Sequence, residues 1–84
     1  MILVVIRMKV LPEKCKELSQ TVSSLMVMIR TEKGCRRCDF YRNMEDENEL
    51  SLMEEWDTRE SLKNHMESER FRILRGAMNL LEEP

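Results

Sequence analysis

The sequence predicts an α+β fold of the split βαβ, ferredoxin-like kind, in one domain spanning residues 1–84. Three observations carry that expectation. Hydrophobic periodicity orders the elements as strand, helix, strand, strand, helix, helix, which is the beginning of a split βαβ unit with helices on one sheet face. A chain of 84 residues has room for a single core. Its opening run is apolar at every position from Ile2 to Ile6, so this strand has no polar side and both of its faces are expected to be covered.

β-Branched residues at Ile2, Val4, Val5, Ile6 and Val10 favour strand over helix for that run, and Pro12 ends it while suiting the first turn of a helix. From Glu13 to about Arg30, Cys15, Leu18, Val22, Leu25 and Ile29 recur three or four apart, opposite Lys14, Lys16, Glu17 and Gln20. That spacing predicts an amphipathic helix, with Met26 and Met28 broadening its apolar stripe. Gly34 supplies a residue able to take a left-handed turn. Cys35 to Asn43 and Glu49 to Asp57 read as an antiparallel hairpin around the polar turn Met44 to Asn48. Along the second strand Leu50, Leu52, Glu54 and Trp56 share one face, and Ser51, Met53, Glu55 and Asp57 the other. Asp57 or Thr58 is expected to cap a short helix, with Glu60 completing a capping box on Asp57 and Leu62, His65 and Met66 turned inward. Ser68 starts the last helix, whose inward stripe is Phe71, Leu74, Met78 and Leu81; Gly76 inside it weakens the helix or marks close packing.

Composition narrows the functional classes. Hydrophobic residues at 42% and charged ones at 36% are too apolar for a disordered tail and too polar for a membrane span. No basic segment precedes the opening run and no small-residue cleavage site follows it, so a first strand is expected rather than a signal peptide, and a cytoplasmic protein with no membrane partner. Fourteen Lys and Arg against sixteen Asp and Glu leave a net charge of -2, with no positive excess to neutralise a phosphate backbone. Nucleic acid is therefore not an expected partner. A chain this short buries only about 60–65% of its unfolded surface, which makes self-association a natural source of further apolar burial.

Three cysteines cannot close a full disulfide framework. Cys15 falls on the buried helix stripe and reads as a small core residue. Cys35-Arg36-Arg37-Cys38 has the spacing of a redox pair, but on a regular strand residues three apart point to opposite faces, about 10 Å from each other. Zinc would need two more ligands, and Cys15 and His65 belong to separate helices, so no metal site is expected. The eight methionines read as adaptable core filler.

Gly34-Cys35, Asp39-Phe40-Tyr41-Arg42, the acidic turn, Glu54-Glu55-Trp56, the Leu62 to His65 pair and the Phe71 helix stand in an order that resembles the antibiotic biosynthesis monooxygenase domain. This is a dimeric α+β barrel family that includes small quinol monooxygenases. The similarity runs from Met1 to about Glu83, and its most specific part is Glu-x-Trp followed at helical distance by Leu-x-x-His. The resemblance implies a homodimer in which two sheets pack face to face across a two-fold axis, matching the double-sided apolarity of Ile2 to Ile6. Members of the family usually continue past a point like Pro84 into a final strand that ties the subunits together. That strand is expected to be missing here, so either the sequence is incomplete or the sheet has three strands per subunit and an open edge for dimer contacts to cover.

The resemblance also implies an active site between helices and sheet. Its matching positions are Trp56 and His65 as candidate catalytic residues, with Asn64 and Tyr41 as possible substrate-binding neighbours. Oxygenases of the family use no flavin, haem or metal, so the substrate itself must reduce dioxygen, which requires an electron-rich, deprotonated quinol or polycyclic phenol. His65 is the one imidazole in the chain, the side chain whose ordinary pKa suits it to take such a proton in a cavity beside it. Trp56 can stack on a planar ring or donate its indole N–H. Bland readings stand beside these: His65 capping polar groups at a pocket rim, Trp56 as core, Glu54 orienting a neighbour or paired to an arginine, and Tyr41 at the dimer surface. A haem-degrading branch of the superfamily is disfavoured, because its Asn, Trp and axial His correspond by rough alignment to Ile6, His65 and Arg75. The expectation is a cofactor-independent monooxygenase. Its alternatives are a dimeric module that binds a small metabolite without turnover, and an isomerase of a small signalling sugar derivative.

Overall fold

The β-branched opening run forms strand β1 (Ile2–Lys9), and Pro12 turns the chain through a short 3-10 segment (Pro12–Lys14) into helix α1 (Cys15–Ile29). Strands β2 (Cys35–Asn43) and β3 (Asp46–Trp56) follow as a hairpin, then helices α2 (Arg59–Met66) and α3 (Glu69–Ala77). The computed structural model describes residues 1–77; Met78 and Leu81 and the expected missing strand lie outside the described residues. The sheet order is β1-β3-β2, with β3 antiparallel to both neighbours. β1 and β2 are thus parallel, joined by α1 across the sheet, and β3 splits the βαβ unit as the element order predicts.

Period-two alternation decides what each strand buries. Leu50, Leu52, Glu54 and Trp56 all face inward and are buried, joined by Met8 of β1 and Cys38 of β2. α1 lays Leu18, Val22, Leu25, Met26 and Ile29 over that face, and α3 adds Leu74. Each such side chain contributes roughly 1.5–3 kcal/mol by burial. The surface pair Arg7–Glu49, at 3.0 Å with the arginine 74% exposed, belongs to a class worth only about 0–1 kcal/mol. Apolar packing, not surface charge, holds the layers together.

Several expectations are corrected. Met28 and Met66 are exposed, and Cys15 is only half buried, because the covered arc of each helix is narrower than its full apolar spacing. The hairpin turn is only Met44-Glu45, since Asn43 Oδ1 accepts from the Glu45 N–H at 2.8 Å and β3 already begins at Asp46. Thr58, not Asp57, caps α2, its hydroxyl accepting from the Ser61 N–H at 3.1 Å, so no box forms from Glu60 to Asp57. Ser68 caps α3 as expected, accepting from the Phe71 N–H at 3.2 Å. The register shifts between Cys35 and Arg37, so Cys35 pairs with Trp56 and Cys38 with Glu54. This irregularity places both thiols on the helix-covered face, where a regular strand would have separated them. In the single chain β1 is covered on one side only: Leu3 and Val5 are 57% and 48% exposed.

Gly34 closes the connection from α1 to β2 at φ 87°, a region L side chains avoid. Its missing Cβ leaves room for Ser61 and Asp57, whose side chains would collide with one. The residue therefore lets α2 sit against the α1–β2 connection. Gly34→Ala is expected to destabilise the fold by about 2–4 kcal/mol, combining left-handed strain with overpacking, and urea unfolding checks it. A midpoint unchanged from wild type would show that the connection relaxes freely.

Candidate functional site

Beneath that turn the core contains a cluster of ionisable groups. The face of α2 that packs inward carries Ser61 and His65, one helical turn apart, and the His65 ring is fully enclosed. It stacks on Trp56 with ring centroids 4.5 Å apart and meets the edge of Phe71 at 5.4 Å. Both ring nitrogens face carboxylates. Nδ1 lies 3.1 and 3.2 Å from the two oxygens of Glu32, and Nε2 lies 3.4 Å from Glu54 Oε1. The Trp56 indole N–H donates to the same Glu54 oxygen at 2.9 Å.

Glu54 is 1% exposed, and only the Glu32 side chain, at 12%, reaches toward solvent. Burial pulls the His65 pKa down, but the negative charge of Glu54, and then the hydrogen bond and charge of Glu32, outweigh it and hold the value above that of an ordinary histidine. The Nε2···Oε1 contact acts as an ion pair: its hydrogen-bond geometry fails, and Nε2 is left without a hydrogen-bond partner. Glu54 Oε2 is likewise buried without a partner. The cluster sets the imidazole between two carboxylates, which favours its protonated form, and leaves His65 Nε2 and Glu54 Oε2 each without a hydrogen-bond partner.

Structure and sequence differ on what surrounds this cluster. His65 and Trp56 come together as expected, packed ring against ring, and among the described residues neither lines any of the four clefts. Asn64 lies on the exposed side of α2, at a cleft of about 230 Å³ with Asp57 and Ser61, because one residue along a helix turns the side chain away from its neighbour. Tyr41 pairs with Ser51 on the sheet face opposite Trp56 and is 43% exposed; its hydroxyl accepts from Arg37 at 3.0 Å. Strand alternation thus puts Tyr41 outside this cluster.

Glu54 is paired to the histidine rather than to an arginine. Glu32 went unread in the sequence: it sits in a polar connection just before Gly34, and its only signal is that a buried histidine needs an acceptor nearby. Burial first, and the charge of Glu54 second, push the Cys38 thiol up to about 12 and raise Cys35 as well, so both thiols stay protonated and unreactive. Among the described residues no group of three or more His, Cys, Asp or Glu side chains is placed to hold a metal ion, and no helix is long and apolar enough to cross a membrane.

The sequence matches the antibiotic biosynthesis monooxygenase family over residues 1–75. Among solved structures, a conserved protein from Methanosarcina mazei Go1 is 30% identical, with a TM-score of 0.92, covering 98% of this chain and 82% of its own. Rv0793 from Mycobacterium tuberculosis is 28% identical with a TM-score of 0.90, covering 98% of this chain and 84% of its own. PA3566 from Pseudomonas aeruginosa is 26% identical with a TM-score of 0.82, covering 96% of this chain and 82% of its own. No curated protein matches the chain.

The raised pKa of the imidazole has a consequence for stability. A histidine whose pKa is raised by folding contributes stability that is whole below its unfolded value, about 6.5, and lost as pH rises through the folded value. Thermal unfolding of the wild type is therefore expected to weaken from about pH 6.5 upward, and His65→Gln to flatten that slope. An NMR titration of the His65 ring checks the cause; a midpoint at or below that of an unfolded peptide would contradict it.

Proposed function

The chain belongs to the antibiotic biosynthesis monooxygenase family, and from that premise we propose that it oxidises a small quinol or polycyclic phenol with dioxygen and no bound cofactor. The observation that carries this reading is the water-excluded cluster of Glu32, His65, Glu54 and Trp56. Deprotonating an aromatic hydroxyl makes the ring a reductant for dioxygen, and this needs a base held beside a stabilising positive charge in a dry site. The overall change balances as substrate-H₂ plus O₂ giving the oxygenated substrate plus water. The new C–O bond takes one oxygen atom, and the other leaves with the two hydrogens.

His65 and Trp56 are the proposed core of the site, with the imidazole holding the phenolate charge and the indole framing the ring. Asn64 and Tyr41 are not proposed to join them, being turned elsewhere. Because the cluster is closed over, substrate must displace the side chains that cover it. That closure favours a second reading, a module that binds a small metabolite without turning it over.

The proposed assembly is a homodimer through the outer sheet face. Leu3, Val5 and Tyr41 are exposed there, with Met53 between them, while the opposite face is already covered by helices. Two copies pairing these faces would give β1 the covering that its apolar run calls for.

Oxygen uptake with a panel of hydroquinones and naphthols tests the activity. Wild type is expected to exceed buffer, and His65→Ala to lower turnover by about 10²-fold or more; saturable binding with no uptake would instead select the binding module. For the assembly, Val5→Glu is expected to convert a dimer to a monomer in sedimentation velocity. A wild type that is monomeric at micromolar concentration would remove the dimer proposal.

A further inference from the structure

The buried side-chain atoms left without hydrogen bonds include Glu54 Oε2 and His65 Nε2, an acceptor and a donor in the same cluster. Their own partners are nearly used up. Glu54 Oε1 takes the Trp56 N–H at 2.9 Å, and His65 Nδ1 is satisfied by Glu32 at 3.1 Å. Glu54 and His65 are 1% and 0% exposed, so bulk water does not serve the leftover atoms. A buried donor and acceptor unused side by side cost roughly 1–3 kcal/mol each, and a group that both donates and accepts would satisfy them together.

We propose that Glu54 Oε2 and His65 Nε2–H form a recognition site for one aromatic hydroxyl, in which Glu54, not His65, accepts its proton. The proposal rests on the monooxygenase reading and assigns its base. The hydroxyl donates to Oε2 and accepts from Nε2–H. In the transfer the substrate O–H bond breaks, an O–H bond forms at Oε2, and the electron pair stays on the aryl oxygen, against the imidazolium. Glu54 is the better placed acceptor, because its Oε2 has no donor, whereas His65 lies between two carboxylates that favour the form in which neither ring nitrogen has a lone pair to offer. Glu32 then has a defined role as a positioning residue that fixes the His65 proton on Nδ1. Approach is from the β2 side. Cys38 and Cys35 are the strand partners of Glu54 and Trp56 on this face, and both line a cleft of about 330 Å³ beside Arg30. Both are small side chains, and protonated thiols leave the carboxylate without a competing negative charge.

The test separates this assignment from the reading beneath it. Calorimetric titration with 1-naphthol and with its methyl ether asks only about the hydroxyl: wild type is expected to prefer the naphthol by at least about tenfold, and Glu54→Gln to lose most of that preference. Oxygen uptake asks about the base. Glu54→Gln is expected to lower kcat by about 10²-fold with KM within about threefold, and the deficit is expected to shrink as the assay pH is raised toward the pKa of the quinol itself, where the substrate ionises without a base. Glu54→Asp keeps the charge beside His65 and withdraws the oxygen by about one carbon–carbon bond, so it decides the matter if the glutamine variant does not fold. The assignment is overturned by equal binding of naphthol and ether to wild type, or by an active enzyme in which both variants keep kcat within about threefold. A wild type that discriminates the two ligands but consumes no oxygen overturns the monooxygenase reading alone.

Discussion

A fully buried imidazole held between two carboxylates is the constraint on which the rest of this structure depends. Leaving one buried ion unpaired costs several kcal/mol, a large share of the stability of so small a domain. His65 is held instead between Glu32 and Glu54, which arrive from the α1–β2 connection and from β3. The consequence is clearest for α2, whose buried residues, Ser61 and His65, are both polar. That helix has almost no apolar stripe with which to dock, so charge pairing and ring stacking fix its place. Gly34 belongs to the same arrangement, because only a residue without a side chain lets α2 approach the turn that carries Glu32.

The sequence shows some of this clearly and some not at all. The period-two run from Leu50 to Trp56 identifies the inner face of β3 residue by residue, Glu54 included, because a strand exposes its alternation in any window of a few residues. The spacing from Leu18 to Ile29 does the same for α1. What is illegible depends on pairing between distant segments. The shift near Arg36 follows from how β2 meets β3, and no local pattern in Cys35-Arg36-Arg37-Cys38 announces it. Glu32 is one acidic residue in a polar connection, and its partner lies 33 positions away. The enclosure of His65 depends on Trp56 stacking on the ring and Phe71 meeting it edge-on, a packing outcome that periodicity does not fix.

The two faces of the sheet divide the work. The inner one is complete within a single chain among the described residues, whereas the outer one mixes apolar side chains with charges of both signs: Leu3, Val5 and Met53 beside Arg37, Asp39 and Glu55. Arg37 binds both Asp39 and the Tyr41 hydroxyl, so this polar patch is ordered before any partner arrives. Preorganised charges around an apolar centre are the features that the proposed pairing of two such faces would use.

Trp56 connects the architecture to the chemistry proposed for it. Its position at the end of β3 and its stacking on His65 make it part of the core, and in that respect the bland reading of a lone tryptophan is correct. Yet its indole N–H also decides how the Glu54 carboxylate is shared. By occupying Oε1 at 2.9 Å it leaves Oε2 as the oxygen without a donor, on a residue already committed to the ion pair with His65. A phenylalanine here would fill much of the same space and still stack, but both carboxylate oxygens would then be open to the imidazolium. The carboxylate would rotate toward that charge, and the unused acceptor would disappear. The tryptophan is therefore both a structural wall and the group that keeps one oxygen available, so packing and proton acceptance are inseparable at this position.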